Sequence, residues 1–376
     1  SSVLRDWMDP AKRAAIWELW FNRDYAKYAV AFNNPSLTLA TWSPSDLARM
    51  FIKKDVAAMI WEYGVSPRPE EPRVDPYAGN TISLEPMSVI NYAGEIPFNA
   101  PRDIAMAADG SLFVADSRNH RIVHLDAQGV FLNAFGSYGN VMDGETPGGL
   151  LNEPWGVTVG PDGNVYVADT WNHRIQVFTP DGEFLRMWNV FDVNGLPNGF
   201  WGPRGIAVDQ AGRVFVTDTG KQRVVVFDSN GNYLTQFGSV GLEPGNMDEP
   251  VGIEVAPDDK IYIADTWNYR VQVFEPDPTG LQFRSTRFWE VDAWSSDSLD
   301  NKPFLALDKD NNVYITDPDR GRVISFDSEG NFRVLWGGFD NSYMMGVISG
   351  IATTPDGKVW VSDATSNSLL LFQPPE

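Results

Sequence analysis

One passage, "VYVADTWNHRIQVF" (Val165–Phe178), returns almost unchanged as "IYIADTWNYRVQVF" (Ile261–Phe274). Each reads as strand, polar turn, strand, with an Asp closing the first strand and an Arg opening the second. Aligning the chain on that Asp gives six anchors: Asp116, Asp169, Asp218, Asp265, Asp317 and Asp363, spaced 53, 49, 47, 52 and 46 residues apart. Five are followed five residues later by Arg (Arg121, Arg174, Arg223, Arg270, Arg322), and the sixth by Ser368. A self-similar unit of this length must be sought before any other feature, because one unit cannot bury its apolar face alone.

Each unit opens near a Pro (Pro101, Pro154, Pro203, Pro250, Pro303) and a short strand such as "GVTV". A turn such as "PDGN" precedes the "VYVAD" strand. The "RIQVF" strand, a second Asp-Gly or Asn-Gly turn and a last strand such as "EFLRMW" complete the unit. Such turns between β-branched runs mark hairpins. Four antiparallel strands per unit at this period predict an all-β, six-bladed β-propeller. The sixth unit ends at "LLLFQPPE" without a fourth strand, which would leave an open edge. The segment "EPMSVINYAG" (Glu85–Gly94) has the pattern of the missing strand, so the ring is expected to close through it.

These units resemble the NHL-repeat family of six-bladed propellers. The family's name triplet appears as Asn119-His120-Arg121 and Asn172-His173-Arg174, with Asn268-Tyr269-Arg270 close to it. The resemblance covers about residues 83–376 and implies the fold. The family includes scaffolds, sensors, RNA binders and a few enzymes, so it does not imply one function. The repeated Asp and Arg are expected to be structural, since a catalytic group is needed once and not in every blade.

The first 82 residues follow another pattern. "DPAKRAAIWELWFNRDYAKYAVAF" has Asp9 as a helix cap and Pro10 in the first turn, and "SPSDLARMFIKKDVAAMIWEYG" repeats that logic from Ser43 to Gly64. A helical extension is expected over 1–64, a Pro-rich linker over 65–82 and the propeller over 83–376. The extension loosely resembles the soluble tail of bacterial multi-pass oligosaccharyltransferase-like membrane glycosyltransferases. That resemblance implies an upstream membrane domain of the same protein and an extracytoplasmic location.

The chain contains no Cys, which excludes disulfides, thiolate metal sites and Cys nucleophiles. Its net charge is −21. Residues 1–82 are balanced, so the whole excess lies on the propeller. A surface this acidic repels phosphate, and nucleic acid is not an expected partner.

The turns between first and second strands and between third and fourth are tight. Those between second and third strands share the other face with the long connections between blades, and function favours long loops on a rigid scaffold. The connections 138–153, 189–202, 239–249, 289–302 and 338–347 each carry net negative charge. Trp171 and Trp267 occupy equivalent turns, and Trp155 and Phe304 follow the blade-opening Pro, as do Arg102 and Arg204. Trp201 lies just before Pro203. These seven residues are the candidate ligand-binding set. Aromatic platforms within an acidic rim suit a glycan, a peptide or a cationic group; the competing reading packs the indoles between blades.

No cofactor is expected. Three His, of which His120 and His173 fall at equivalent turns and His124 within a strand, are poorly placed to converge on zinc. Glu254, the lone carboxylate within the first strands, and Asp103 at a strand entrance are too few for calcium. Glu254 is expected to pair with Arg204 or a water. The function expected is a non-catalytic recognition or scaffolding module, and the alternative is a metal-dependent lyase or hydrolase with its site at the central channel.

Overall fold

In the computed structural model, residues 76–375 are described except 78, 145, 295–300 and 339–342. The expected helical extension and the linker up to residue 75 lie outside the described residues. What is described is a six-bladed propeller.

The third blade shows the common plan. Pro203–Val208, Val214–Asp218, Arg223–Phe227 and Tyr233–Phe237 pair antiparallel in sequence order. In every blade the Asp anchor is the last residue of the second strand, and in the first five it faces the Arg that opens the third. The first strands of successive blades lie side by side, and the first strand of blade six, Ile348–Thr353, returns to that of blade one, Pro101–Met106. The ring is therefore closed.

Two strands from before the first repeat complete it. Ser88–Ile90 pairs antiparallel with Ser368–Phe372 and supplies the fourth strand of blade six, as the sequence pattern suggests. Thr81–Ile82, expected within the linker, instead pairs in parallel with Phe332–Gly337 and gives blade five a fifth strand. A two-residue strand carries no alternation to read, so its sequence gave no sign of it.

Strands buried on both faces read as continuous Val, Ile and Ala runs. The apolar core accordingly divides into six clusters, one between each pair of neighbouring blades. Phe113, Ile122, Val157 and Val167 join blades one and two, for example. Burying each such side chain stabilises the fold by roughly 1.5–3 kcal/mol.

Hydroxyls near the axis add cross-blade bonds. Thr217 Oγ1 accepts Gly205 N and donates to Val251 O of the next blade, both at 2.8 Å. Thr316 and Ser362 repeat the arrangement in blades five and six. The glycine paired with Thr217 is required by space: a Cβ on Gly205 would lie 2.0 Å from Val251 O. Blade five departs from the plan. Leu305 pairs with Ile315 as Ile206 pairs with Val216, so Lys302, and not Pro303, stands where Pro opens other blades. Phe304 then takes the position of Gly205 and is not the counterpart of Trp155.

Candidate functional site

In every blade but the fifth, the repeated Asp latches the preceding connection onto its blade. Asp169 Oδ1 accepts Asn152 N at 2.7 Å, while its Oδ2 accepts Arg174 Nε at 2.7 Å, Gln176 Nε2 at 2.8 Å and Asn172 Nδ2 at 2.9 Å. Asp116, Asp218 and Asp265 take the equivalent amides of Asn99, Trp201 and Asp248. The connections and the second-to-third turns thus share one face, the long-loop face.

In blades one, two, three and six the residue four beyond the Asp anchor turns the chain through a left-handed conformation: His120 has φ 54°, His173 52°, Gln222 57° and Asn367 55°. Its side chain accepts an amide of the following connection. His120 Nδ1 takes Glu153 N at 3.1 Å and His173 Nδ1 takes Gly202 N at 3.0 Å. Gln222 Oε1 takes Glu249 N, and Asn367 Oδ1 takes Ala100 N. Burial lowers the pKa of both histidines, which keeps Nδ1 available as an acceptor. Asp, Arg and His of the repeat are all committed to holding the loops in place.

Trp155 and Phe304 are buried, at 0% and 3% exposure, as are Arg102 and Arg204. These four are therefore covered by neighbouring side chains in the fold. Trp155 is already stacked, with the Arg102 guanidinium 4.4 Å from one ring centroid and Arg204 at 4.6 Å. Blades one, two and three contribute one of these residues each, so the trio braces the channel mouth. Arg204 Nη1 lies 3.3 Å from Glu249 Oε2, and Lys302 Nζ approaches the same oxygen at 3.5 Å. Arg204 therefore pairs with Glu249, and not with Glu254 as expected.

Sequence reasoning missed Lys302. It is fully buried, its Nζ stands 4.4 Å from the Trp267 ring centroid, and burial lowers its pKa to about 8. The one available signal was a Lys in the place of a blade-opening Pro.

Two of the expected indoles remain open on the long-loop face beyond Trp267. Trp171 is 36% exposed, and its amide donates to Asn152 O, three residues before Trp155, so both indoles belong to the same side of the disc. Trp201, partly exposed, stacks on His173 with ring centroids 4.9 Å apart. Trp171 and Trp201 thus flank one turn of blade two.

The channel wall carries Asp103 and Glu254, on opposite blades. Asp103 accepts Ile104 N and Val157 N, and burial raises its pKa well above the usual range. Burial also raises Glu254, to about 7. Among the described residues no three His, Asp or Glu side chains are grouped to hold a metal. His120 and His173 are spent on backbone amides, and His124 stacks on Phe113 at 4.1 Å. These residues do not fit the metal that the lyase or hydrolase alternative requires.

The NHL repeat profile matches residues 98–125, 151–178, 200–227 and 247–274, the first four blades. Blades five and six lie outside these matches, and have Arg320-Gly321-Arg322 and Ser366-Asn367-Ser368 where the triplet stands elsewhere. Among curated relatives, the rat E3 ubiquitin-protein ligase TRIM71 is 52% identical over 48 residues, covering 13% of this chain and 5% of the relative. Human NHL repeat-containing protein 3 is 33% identical over 98 residues, covering 25% of this chain and 26% of the relative. The chain thus spans only a minor part of either relative's length.

Two solved structures share the fold at 14% identity. A gluconolactonase from Xanthomonas campestris aligns with TM-score 0.54 over 82% of this chain and 99% of its own. A virginiamycin B lyase from Staphylococcus aureus aligns at 0.50 over 77% and 99%. The described residues form a closed ring of six blades, four of which carry the NHL repeat.

Proposed function

We propose that this propeller is a recognition module whose long-loop face binds a peptide segment of a protein partner, with basic side chains directed at the exposed indoles. The observation that carries this reading is the position of Trp171. It is a large aromatic left 36% exposed on the face where the repeat Asp holds the connections of the neighbouring blades, with acidic connections on either side. A basic side chain over such a ring gains about 0.5–1 kcal/mol at an exposed site, and the acidic rim adds long-range attraction. The buried Arg102–Trp155–Arg204 brace and the Lys302–Glu249 pair serve as the rigid floor beneath it. The names of relatives such as the ubiquitin-protein ligase support a protein partner over a small metabolite.

A peptide array tests the proposal. Basic, aromatic-tolerant peptides should bind, with affinity falling as salt rises, and Trp171→Ala should weaken them about fivefold or more. Binding that is indifferent to Trp171→Ala, or confined to acidic peptides, overturns it.

A further inference from the structure

A cavity of about 500 Å³ opens at the seam between blades six and one, and Trp171 is not among its lining residues. Its walls come from both ends of the propeller. Asn91, Tyr92 and Ile96–Asn99 belong to the lead-in after the closing strand, Asn119 to the first turn of blade one, and Ser366 and Asn367 to the last hairpin. The volume falls within the roughly 300–1,000 Å³ of small-molecule sites.

The lining has three properties. No residue in it is charged, in a chain of net charge −21. It gathers four carboxamides, two of which are fixed from behind: Asn119 Nδ2 donates to Pro97 O and Asp116 Oδ2, and Asn367 Oδ1 accepts Ala100 N. Third, Tyr92 and Ile96 stand at the edge with 60% and 53% exposure. In blade two the counterpart of Asn119 is filled on its other side, since Asn172 Oδ1 accepts Val141 N. No such loop reaches Asn119, and its Oδ1 keeps its acceptor capacity among the described residues. Asn91 and Asn99 keep their whole side-chain amides on the same terms.

We infer that this seam cavity is a binding site for a neutral saccharide. Each free carboxamide offers a donor and an acceptor side by side, the pattern that adjacent hydroxyls of a sugar ring meet two at a time. An exposed phenol face beside them suits the apolar C–H face of the same ring. An anionic or cationic ligand would find no counter-charge here. The site is separate from the peptide surface around Trp171, and either can fail alone.

The test is an immobilised panel of neutral mono- and oligosaccharides probed with the full chain, followed by calorimetric titration of the best binder. Tyr92→Ala and Asn91→Ala should each weaken that binder at least tenfold, while Trp171→Ala leaves it unchanged. Both seam residues are exposed, so folding is preserved, and Asn91→Asp offers a second variant that introduces a charge without loss of volume. The inference is overturned if no neutral saccharide binds at millimolar concentration. It is equally overturned if the binder ignores the seam substitutions, or if it is lost on Trp171→Ala.

Discussion

The ammonium of Lys302, the only buried Lys among the described residues, stands 4.4 Å from the centroid of the Trp267 indole. Its partner Glu249 lies at 3.5 Å, yet burial wins and lowers the Lys302 pKa from 10.5 to about 8. A pKa lower in the folded chain than in the unfolded one means that the unfolded chain holds the proton longer. Stability contributed by this site therefore rises as pH climbs from about 8 to 10.5, by on the order of 3 kcal/mol. Lys302→Met should remove that rise. Urea unfolding of both proteins across this range checks it, and parallel curves would refute the burial argument.

Asp169 receives four donors at 2.7–2.9 Å while itself fully buried. Asp169→Asn replaces one acceptor oxygen by an NH₂ aimed at Arg174 and leaves that guanidinium, itself 3% exposed, without its counter-charge. Uncompensated burial of one member of such a pair costs roughly 3–5 kcal/mol. Denaturant titration should show a loss of this size, and a loss below about 1 kcal/mol would count against a structural role for the repeat Asp.

His173 must be neutral for Nδ1 to accept Gly202 N at 3.0 Å. Burial, reinforced by the Lys221 charge, lowers its pKa in the folded state. The stability this provides is complete above the unfolded value of about 6.5 and is lost as pH falls below it. Gln222 performs the same task in blade three with an amide oxygen that does not titrate. His173→Gln should therefore fold and should flatten the acid side of the stability curve near pH 6. An unchanged acid limb in His173→Gln would place the titration elsewhere.

The contrast between His173 and Trp155 shows what a sequence of this kind reveals. Carpentry repeats, so its period exposes it: the Asp–Arg pair of five blades, the Asn-His turn of two and the six-fold count all follow from spacing. Functional surface occurs once and has no period. Arg102, Trp155 and Arg204 are near neighbours in the ring, but the sequence does not say whether an indole is capped by guanidinium groups or by solvent. The one-residue shift that replaces Pro by Lys302 is visible only once Leu305 is seen to pair with Ile315. The seam cavity joins Asn99 to Asn367, across nearly the whole repeat array, so no local pattern could have indicated it.

Close approach of neighbouring first strands yields another expectation. Gly205→Ala would set a methyl 2.0 Å from Val251 O, a backbone atom that cannot turn aside. The Thr217 hydroxyl that staples the two blades sits 2.9 Å from the same point. Overpacking of this kind costs typically 1–3 kcal/mol. Gly212→Ala, at a turn where the nearest atom is 3.8 Å away, is strained only by its φ of 80° and serves as the comparison. Gly205→Ala should lower Tm more than Gly212→Ala; the reverse order would mean that the axis is looser than its geometry implies.

The outer edge of blade six is covered by a strand of three residues. Ser88–Ile90 is the whole of the strand that seals blade six, and Val89 is 46% exposed, so most of the grip comes from its backbone ladder and from Ile90. Ile90 packs against the cluster of Trp360, Leu369 and Phe98, and its Cδ1 fills the space that Gly129 leaves by lacking a Cβ. Ile90→Asp puts a charge into that contact. Burying it unpaired is costly enough that the strand should detach instead. Detachment uncovers the edge of Ser368–Phe372, whose amides would then exchange with solvent while those of blade three remain protected. Hydrogen exchange should therefore accelerate in blade six first, and aggregation should follow from its exposed edge. Uniform acceleration across all blades would instead mean that the ring opens as one unit and that the closing strand is no weaker than the rest.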